Sequence, residues 1–170
     1  NVATHVLVDT GEALVLADTS ELSPQATGIH GDLAAHMTVP TGIAGTIVGR
    51  PEHGLRPLSA LIRATGIAGA AARVLHMTVE HANQRVQFGK PIGKLQAIQQ
   101  MLSVLAEDAV AVRIAAELAC AGSFPPAIPA IATAKSVASD AAARIANSAH
   151  AIHGAIGISE EFDLQLYTRR

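Results

Sequence analysis

The spacing of apolar residues through the last two-thirds of this chain limits its fold more than any other feature. Between positions 98 and 119 they recur at three- and four-residue steps: Ile98, Met101, Leu102, Leu105, Ala109, Val112, Ala116 and Ala119. Because an α-helix repeats every 3.6 residues, this spacing predicts a long helix with one apolar face. Comparable runs predict two more long helices, over residues 57–83 and 129–152.

The residue types at the ends of these runs fit helix termini. Pro57 stands where a first helical residue is expected. Gly122, followed by Pro125 and Pro126, ends the second helix before the third begins. A short final helix is expected to begin near Ser159, because a serine cap is followed there by acidic residues.

Three long helices joined by short connections predict a helical bundle. Hydrophobic residues make up 49% of the chain and aromatic residues only 2%, so the core must consist of Ala, Ile, Leu and Val. Three helices leave a bundle without its fourth wall, which a further segment or a second subunit would supply. Apolar surface exposed on that scale predicts association into a dimer or a tetramer.

The N-terminal third follows a different pattern. Short runs at residues 5–9, 13–17, 37–40 and 45–49, separated by segments containing Gly and Pro, predict β-strands. The first two are expected to form a hairpin. The predicted fold class is therefore mainly α, with a partial small β-domain over residues 1–54 and a helical bundle over residues 55–170.

Composition excludes several kinds of partner. The net charge is −2 and there is no basic run, so nucleic acid is not expected, because phosphate binding needs clustered Lys and Arg. Prolines interrupt the longest uncharged run, residues 118–134, so we expect no membrane insertion. The single Cys120 cannot form an internal disulfide and predicts a reducing compartment, the cytoplasm.

The connection between the first two helices is chemically richer than a simple link. It reads RVQFGKPIGKLQAIQ, residues 85–99. Arg85 could complement the dipole at a helix C-terminus, or bind a phosphate through its guanidinium fork. Because Phe88 can cover an aromatic ring and Gly89 admits a close backbone approach, the combination favours a ligand site.

A second candidate, HGAIG at residues 153–157, follows the third helix. Its glycines could simply cap the helix, or they could expose backbone N–H groups to an anion. His150 and His153 share a helix face, but no third ligand lies near them, so we expect no metal site. His76 and His81, five residues apart, make a weaker case for a metal.

Together the two segments resemble a known family. Residues 85–99 resemble the R-x-x-F-G-x-x-I-x-x-x-Q segment of acyl-CoA dehydrogenases. Residues 153–164, HGAIGISEEFDL, resemble the family's G-G-x-G segment with its following Glu, and LYTRR at residues 166–170 matches the usual continuation. The resemblance covers residues 55–170 well, and residues 1–54 only by position and strand character.

The resemblance implies a subunit with an N-terminal helical domain, a middle β-domain and a C-terminal four-helix bundle. Residues 1–54 would belong to the β-domain and residues 55–170 to the bundle, with the first domain and the last helix lying outside these residues. FAD would bind between the β-domain and the bundle, and a neighbouring subunit of a homo- or hetero-oligomer would complete each site.

The same resemblance implies roles for individual residues after the first helix. Arg85 would meet the pyrophosphate of FAD held by a partner subunit. Gln87 and Phe88 would contact the cofactor beside it, and Ile92 and Leu95 would line its pocket.

The resemblance also implies that His153, Gly154 and Ala155 approach the dinucleotide from the other side. Two residues depart from the family pattern here. The paired glycine of the family is Gly154–Ala155 in this chain, and Ala151 stands where many members carry Gln.

The implied reaction is the α,β-desaturation of an acyl-CoA thioester, in which a carboxylate removes the α-proton and FAD takes the hydride. An electron-transfer flavoprotein would be the onward acceptor. Residues 57–66, where some members carry the base, hold no carboxylate, and Ser59 and Arg63 occupy that region. We therefore assign no catalytic residue. The alternatives are a non-catalytic partner subunit of a hetero-oligomeric dehydrogenase, and a helical oligomerisation domain without a cofactor.

Overall fold

The computed structural model describes residues 3–27, 35–50, 52–122 and 125–169. The chain divides into two compact units, Asn1–Arg56 and Pro57–Arg170. The three long helices lie in the second unit, apart from the first residue of the first helix, and the larger sheet lies in the first unit.

The first unit contains a three-stranded antiparallel sheet in the order β1 (His5–Asp9), β2 (Leu14–Asp18) and β5 (Thr46–Gly49). A separate two-stranded pair joins β3 (Gln25–Ala26) to β4 (Ala35–His36). Side chains that point to one face of the larger sheet are buried, among them Val8, Val15 and Ala17. This is the alternation that a half-buried sheet requires.

Two of the strand predictions have clear outcomes. The predicted hairpin is confirmed, because Asp9 pairs with Leu14 across the turn. The strand predicted over residues 37–40 is wrong, because that segment is irregular and the nearest pairing ends at His36. A strand exists only where a neighbour accepts its backbone hydrogen bonds, and β4, which precedes this segment, pairs with β3 over only two residues.

The second unit is built on α1 (Arg56–Gln84), α2 (Gln96–Cys120) and α3 (Ile128–His153), with a hairpin of β6 (Val86–Gln87) and β7 (Lys90–Pro91) between the first two. These three helices confirm the predicted ones to within about two residues at each end. A short α4 (Leu164–Thr168) follows.

The predicted start of the last helix at Ser159 is wrong. A 3₁₀ turn continues from α3 over Gly154–Ile158, and Ser159 ends that turn in an extended conformation. Its hydroxyl donates back to the carbonyl of Ile156 at 2.9 Å, so it does not cap the following turn.

Among the long helices, α2 and α3 approach each other most closely. Small buried residues face each other across this pair and belong to one core cluster: Ala109, Ala116, Ala119, Ala134, Ala138, Ala141 and Ala149. Near the middle, the Arg144 guanidinium donates to both carboxylate oxygens of Asp108, at 2.7 and 3.1 Å. This two-point ion pair fixes the register of the two helices as well as adding attraction.

Helix α1 stands farther from the other two and reaches the same cluster with Leu61, Val74 and Met77. A groove of about 750 Å³ opens between α1 and α3 and continues to α4. Its walls include several small residues: Gly66, Gly69, Ala70, Ala142 and Ala146. One side of the bundle is therefore open along this groove.

By length and composition alone, α1 could cross a membrane, and no other helix in the described residues meets that criterion. Prolines do not interrupt it, so the sequence argument about residues 118–134 did not apply to it. Its buried residues, among them Leu61, Ala64, Ala68 and Ala71, recur at three- and four-residue steps. That pattern is typical of a core helix in a bundle.

Candidate functional site

The chain after α1 forms a tight β-hairpin rather than a plain loop. Gln87 pairs with Lys90, which leaves Phe88 and Gly89 as a two-residue turn. Both have positive φ, +54° and +76°, as a type I′ turn requires. The backbone N–H of Ile92 donates to the carbonyl of Arg85 at 2.9 Å and closes the base of the hairpin.

Phe88 is placed at the tip of this hairpin at a conformational cost. It is the only described residue other than glycine with positive φ, a conformation that costs a bulky residue roughly 1–3 kcal/mol. Its side chain is 86% exposed, so packing within the unit does not offset that cost. An exposed aromatic residue held in a strained turn is typical of a contact with a ligand or a partner.

Arg85 and Gln87 are also exposed, on either side of Val86. The Arg85 guanidinium forms no ion pair or side-chain hydrogen bond with the described residues. It therefore remains available for a phosphate from outside the unit. A free cation beside an exposed aromatic ring fits the two chemically different parts of a dinucleotide.

Ile92 and Leu95 occupy a different environment. Ile92 is only 5% exposed and belongs to a small apolar cluster with Ala82 and Ile152, against which Leu95 packs. A Cβ on Gly93 would lie 3.1 Å from the carbonyl oxygen of Ala82, so this turn rests directly on the end of α1. The structure thus gives Ile92 a core role, and a cofactor contact for either residue stays a prediction.

The end of α3 supports the capping interpretation of the second segment. Gly154 has a φ of +64°, and its N–H donates to the carbonyl of His150, as a glycine after a helix commonly does. Gly154 and Ala155 are exposed, whereas His153 is buried. A contact of these three residues with a dinucleotide stays a prediction, and the N–H of Gly154 is already used.

The two segments lie at the same end of the bundle. The rings of His81 on α1 and His153 on α3 are stacked, with centroids 4.4 Å apart and planes inclined by 24°. The Phe162 ring lies beside both of them, with its centroid 5.0 Å from that of His153 and 6.3 Å from that of His81. Sequence reasoning considered His81 only as a weak metal ligand and missed this contact, because its partner lies far along the chain.

Both stacked histidines favour the neutral state. Burial lowers the pKa of His81, and His153 and Arg85 lower it further. Burial also lowers the pKa of His153, while the bond to Ala149 raises it and His150 lowers it. No group of three or more metal-ligating side chains occurs among the described residues.

Gly157 is packed closely beneath these histidines, and its replacement by alanine is expected to destabilise the unit. The new Cβ would lie 2.9 Å from the Cβ of His153 and 3.2 Å from both His150 Nδ1 and Leu164 Cδ2. Overpacking of this kind typically costs about 1–3 kcal/mol, measurable as a lower denaturant midpoint. Gly66→Ala is the matched control, because its Cβ would meet nothing within 4 Å, and an equal loss in both variants would contradict the expectation.

With the geometry established, comparisons with known proteins define the class. The sequence-family model for the acyl-CoA dehydrogenase C-terminal domain matches residues 58–170. The acyl-CoA dehydrogenase IpdE2 of Mycolicibacterium smegmatis is 32% identical over 170 residues, which is 100% of this chain and 52% of the relative. The chain therefore belongs to the acyl-CoA dehydrogenase family, whose members are FAD-dependent flavoproteins.

Solved structures agree with this assignment. The ChsE4–ChsE5 complex of Mycobacterium tuberculosis matches with a TM-score of 0.77 and 27% identity, over 98% of this chain and 49% of that one. The Tcur3481–Tcur3483 steroid ACAD, a G363A variant, matches with a TM-score of 0.85 and 25% identity, over 98% and 48%. The chain thus spans about half the length of each of these relatives.

Proposed function

We propose that this chain is part of an FAD-dependent acyl-CoA dehydrogenase that desaturates an acyl-CoA thioester between its α and β carbons. The observation that carries the proposal is the Arg85–Phe88 hairpin. It presents an unpaired guanidinium and an 86% exposed aromatic ring at one end of a bundle that belongs to this family. Strain and exposure at Phe88 are unfavourable for the unit alone, and a bound cofactor would offset them.

FAD, when bound, supplies the acceptor for the hydride. The residues of this chain would bind and orient it. Arg85 would hold the pyrophosphate by paired N–H donors, and Phe88 would cover a ring system. Gln87 would add an amide hydrogen bond beside them, and the exposed Gly154 and Ala155 would let the dinucleotide approach the backbone.

A second candidate, the non-catalytic partner subunit, is favoured by one observation. The groove between α1 and α3 is lined by Arg63, Lys135, Tyr167 and by apolar and other uncharged residues, and no carboxylate lies among its described lining residues. Proton abstraction next to a thioester needs a positioned base. In this version the chain completes FAD sites across a subunit boundary, and another subunit carries the base. A helical oligomerisation domain without a cofactor is the third candidate.

Association is part of the proposal. Four large apolar side chains on α2 are exposed: Val104, Val110, Ile114 and Leu118, the last at 68%. Together with the open side of the bundle they favour a homo- or hetero-oligomer, a dimer or a tetramer.

We further propose an electron-transfer flavoprotein as the electron acceptor, and a cytoplasmic location on the basis of the single free Cys120.

The test uses the complete natural protein, purified alone and with its partner subunit. Visible flavin absorbance that survives gel filtration supports the cofactor assignment. If flavin is absent under both conditions, the oligomerisation domain without a cofactor is the candidate that remains. Turnover of acyl-CoA with an artificial electron acceptor then separates the other two candidates. Activity of the protein alone indicates a catalytic subunit, whereas activity only with the partner indicates the non-catalytic role.

A further inference from the structure

The stacked pair of His81 and His153 joins the bases of both candidate segments. The N–H of Arg85, at the start of the hairpin, donates to the carbonyl of His81 at 2.9 Å. His153 immediately precedes Gly154, where the chain leaves α3. Whatever holds these two rings together therefore also holds the hairpin and the turn after α3 in a fixed relation.

The hydrogen bonds of His153 define its tautomer. Its Nδ1 lies 2.8 Å from the carbonyl oxygen of Ala149, and because a carbonyl only accepts, Nδ1 carries the proton. Nε2 then presents a lone pair, and it is buried without a hydrogen-bond partner among the residues that the structure describes. Protonation at Nε2 would bury a charged N–H with no acceptor, which is strongly unfavourable.

The charged neighbours of the pair add to this cost. Arg85, directly after α1, and the His153 ring both act against a positive charge on His81. His150 on α3 acts against a positive charge on His153, and burial disfavours the charged form of both rings. No carboxylate of either helix, or of the segment after α3 that carries Phe162, contributes to either pKa. Protonation of one ring would also replace a stacked contact with a cation that prefers water.

We propose that the neutral rings of His81 and His153 form an acid-sensitive latch, which fastens the turn after α3 to the end of α1 and so positions the two cofactor-binding segments. His81 is in this sense a positioning residue. The latch itself follows from the geometry of the bundle, and only its effect on the cofactor rests on the proposed function.

The pH window follows from the lowered pKa of each ring. An unfolded histidine titrates near its ordinary value of 6.5. Below that pH the unfolded state binds more protons than the folded state, so stability is complete above it and declines as the pH falls. The decline stops at the lowered pKa of the folded rings, where both states are protonated.

The test compares the unaltered protein with His81→Phe and with His76→Phe, using the complete protein. Phenylalanine preserves an aromatic contact but cannot be protonated. His76 is the matched control, because it lies on the same helix with a side chain 68% exposed. We measure the flavin retained after desalting between about pH 7.5 and pH 5, the range in which histidine changes charge.

The expected result is acid-induced flavin loss in the unaltered protein and in His76→Phe. In His81→Phe the midpoint of loss should shift to lower pH by about one unit, with retention at neutral pH unchanged. Identical pH profiles in all three proteins would overturn the latch.

A second measurement needs no variant and no cofactor. Histidine ring resonances in the unaltered protein should show pKa values for His81 and His153 that both lie below the ordinary histidine value of 6.5. If the two rings titrate at or above that value, the latch is wrong. If the protein carries no flavin at any pH but both histidines show lowered pKa values, the proposed function is wrong and the latch still holds.

Discussion

Arg85→Ala is expected to weaken flavin retention by about tenfold to a hundredfold, without loss of helical content. The guanidinium is exposed and makes no ion pair within the described residues, so its removal costs the unit little. A hydrogen-bonded charge pair with a phosphate contributes roughly 1.5–3 kcal/mol, and each 1.4 kcal/mol corresponds to about a factor of ten. Flavin affinity is measured by titration of the apoprotein, and helical content by circular dichroism.

Two further variants make this result specific. Arg73→Ala removes the same charge from an exposed position on α1 and should leave flavin affinity unchanged. Arg85→Lys keeps the charge but loses the two-point fork, so it should recover only part of the affinity. If Arg85→Ala retains flavin as tightly as the unaltered protein, the assignment of Arg85 to the pyrophosphate is wrong.

Leu105→Ala is expected to cause the largest loss of stability, about 2–5 kcal/mol in the free energy of unfolding. Leu105 lies on α2, is fully buried and belongs to the main core cluster of the helical unit. Its neighbours are already small residues on closely spaced helices, so they have little freedom to fill the space left behind. The change appears as a lower denaturant midpoint followed by circular dichroism.

Glu107→Ala is the control on the same helix. That side chain is exposed, so its truncation should change the unfolding free energy by no more than about 0.5 kcal/mol. Similar losses in the two variants, measured at the same protein concentration, would show that α2 does not bury the face assigned to it.

The long helices could be predicted because their apolar residues keep a helical period for more than twenty positions. The short elements could not. Each strand of the hairpin at Phe88 is two residues long, too short for any alternation to appear in the sequence. A Phe–Gly pair is also a poor turn signal, because type I′ turns favour Asn–Gly or Asp–Gly. Sequence reasoning therefore found the residues of this segment without finding its shape.

The candidate site shows a similar division. The motif identified Arg85 and Phe88, and the structure leaves both exposed at one end of the bundle. The same motif counted Ile92 as a pocket residue, but an apolar side chain that contacts a ligand and one that fills a core have the same sequence character. The stacked His81 and His153 depend on a contact between two helices distant in sequence, which no local pattern records.

The turn at Phe88 also bears on how this protein would respond to selection for stability. Asparagine would adopt the required positive φ more easily than phenylalanine, and it would remove an exposed apolar surface from the unit. Selection for stability alone would therefore favour replacement of Phe88, the side chain proposed to contact the cofactor. Here local stability and the proposed activity make opposite demands on one residue, as commonly occurs at functional sites.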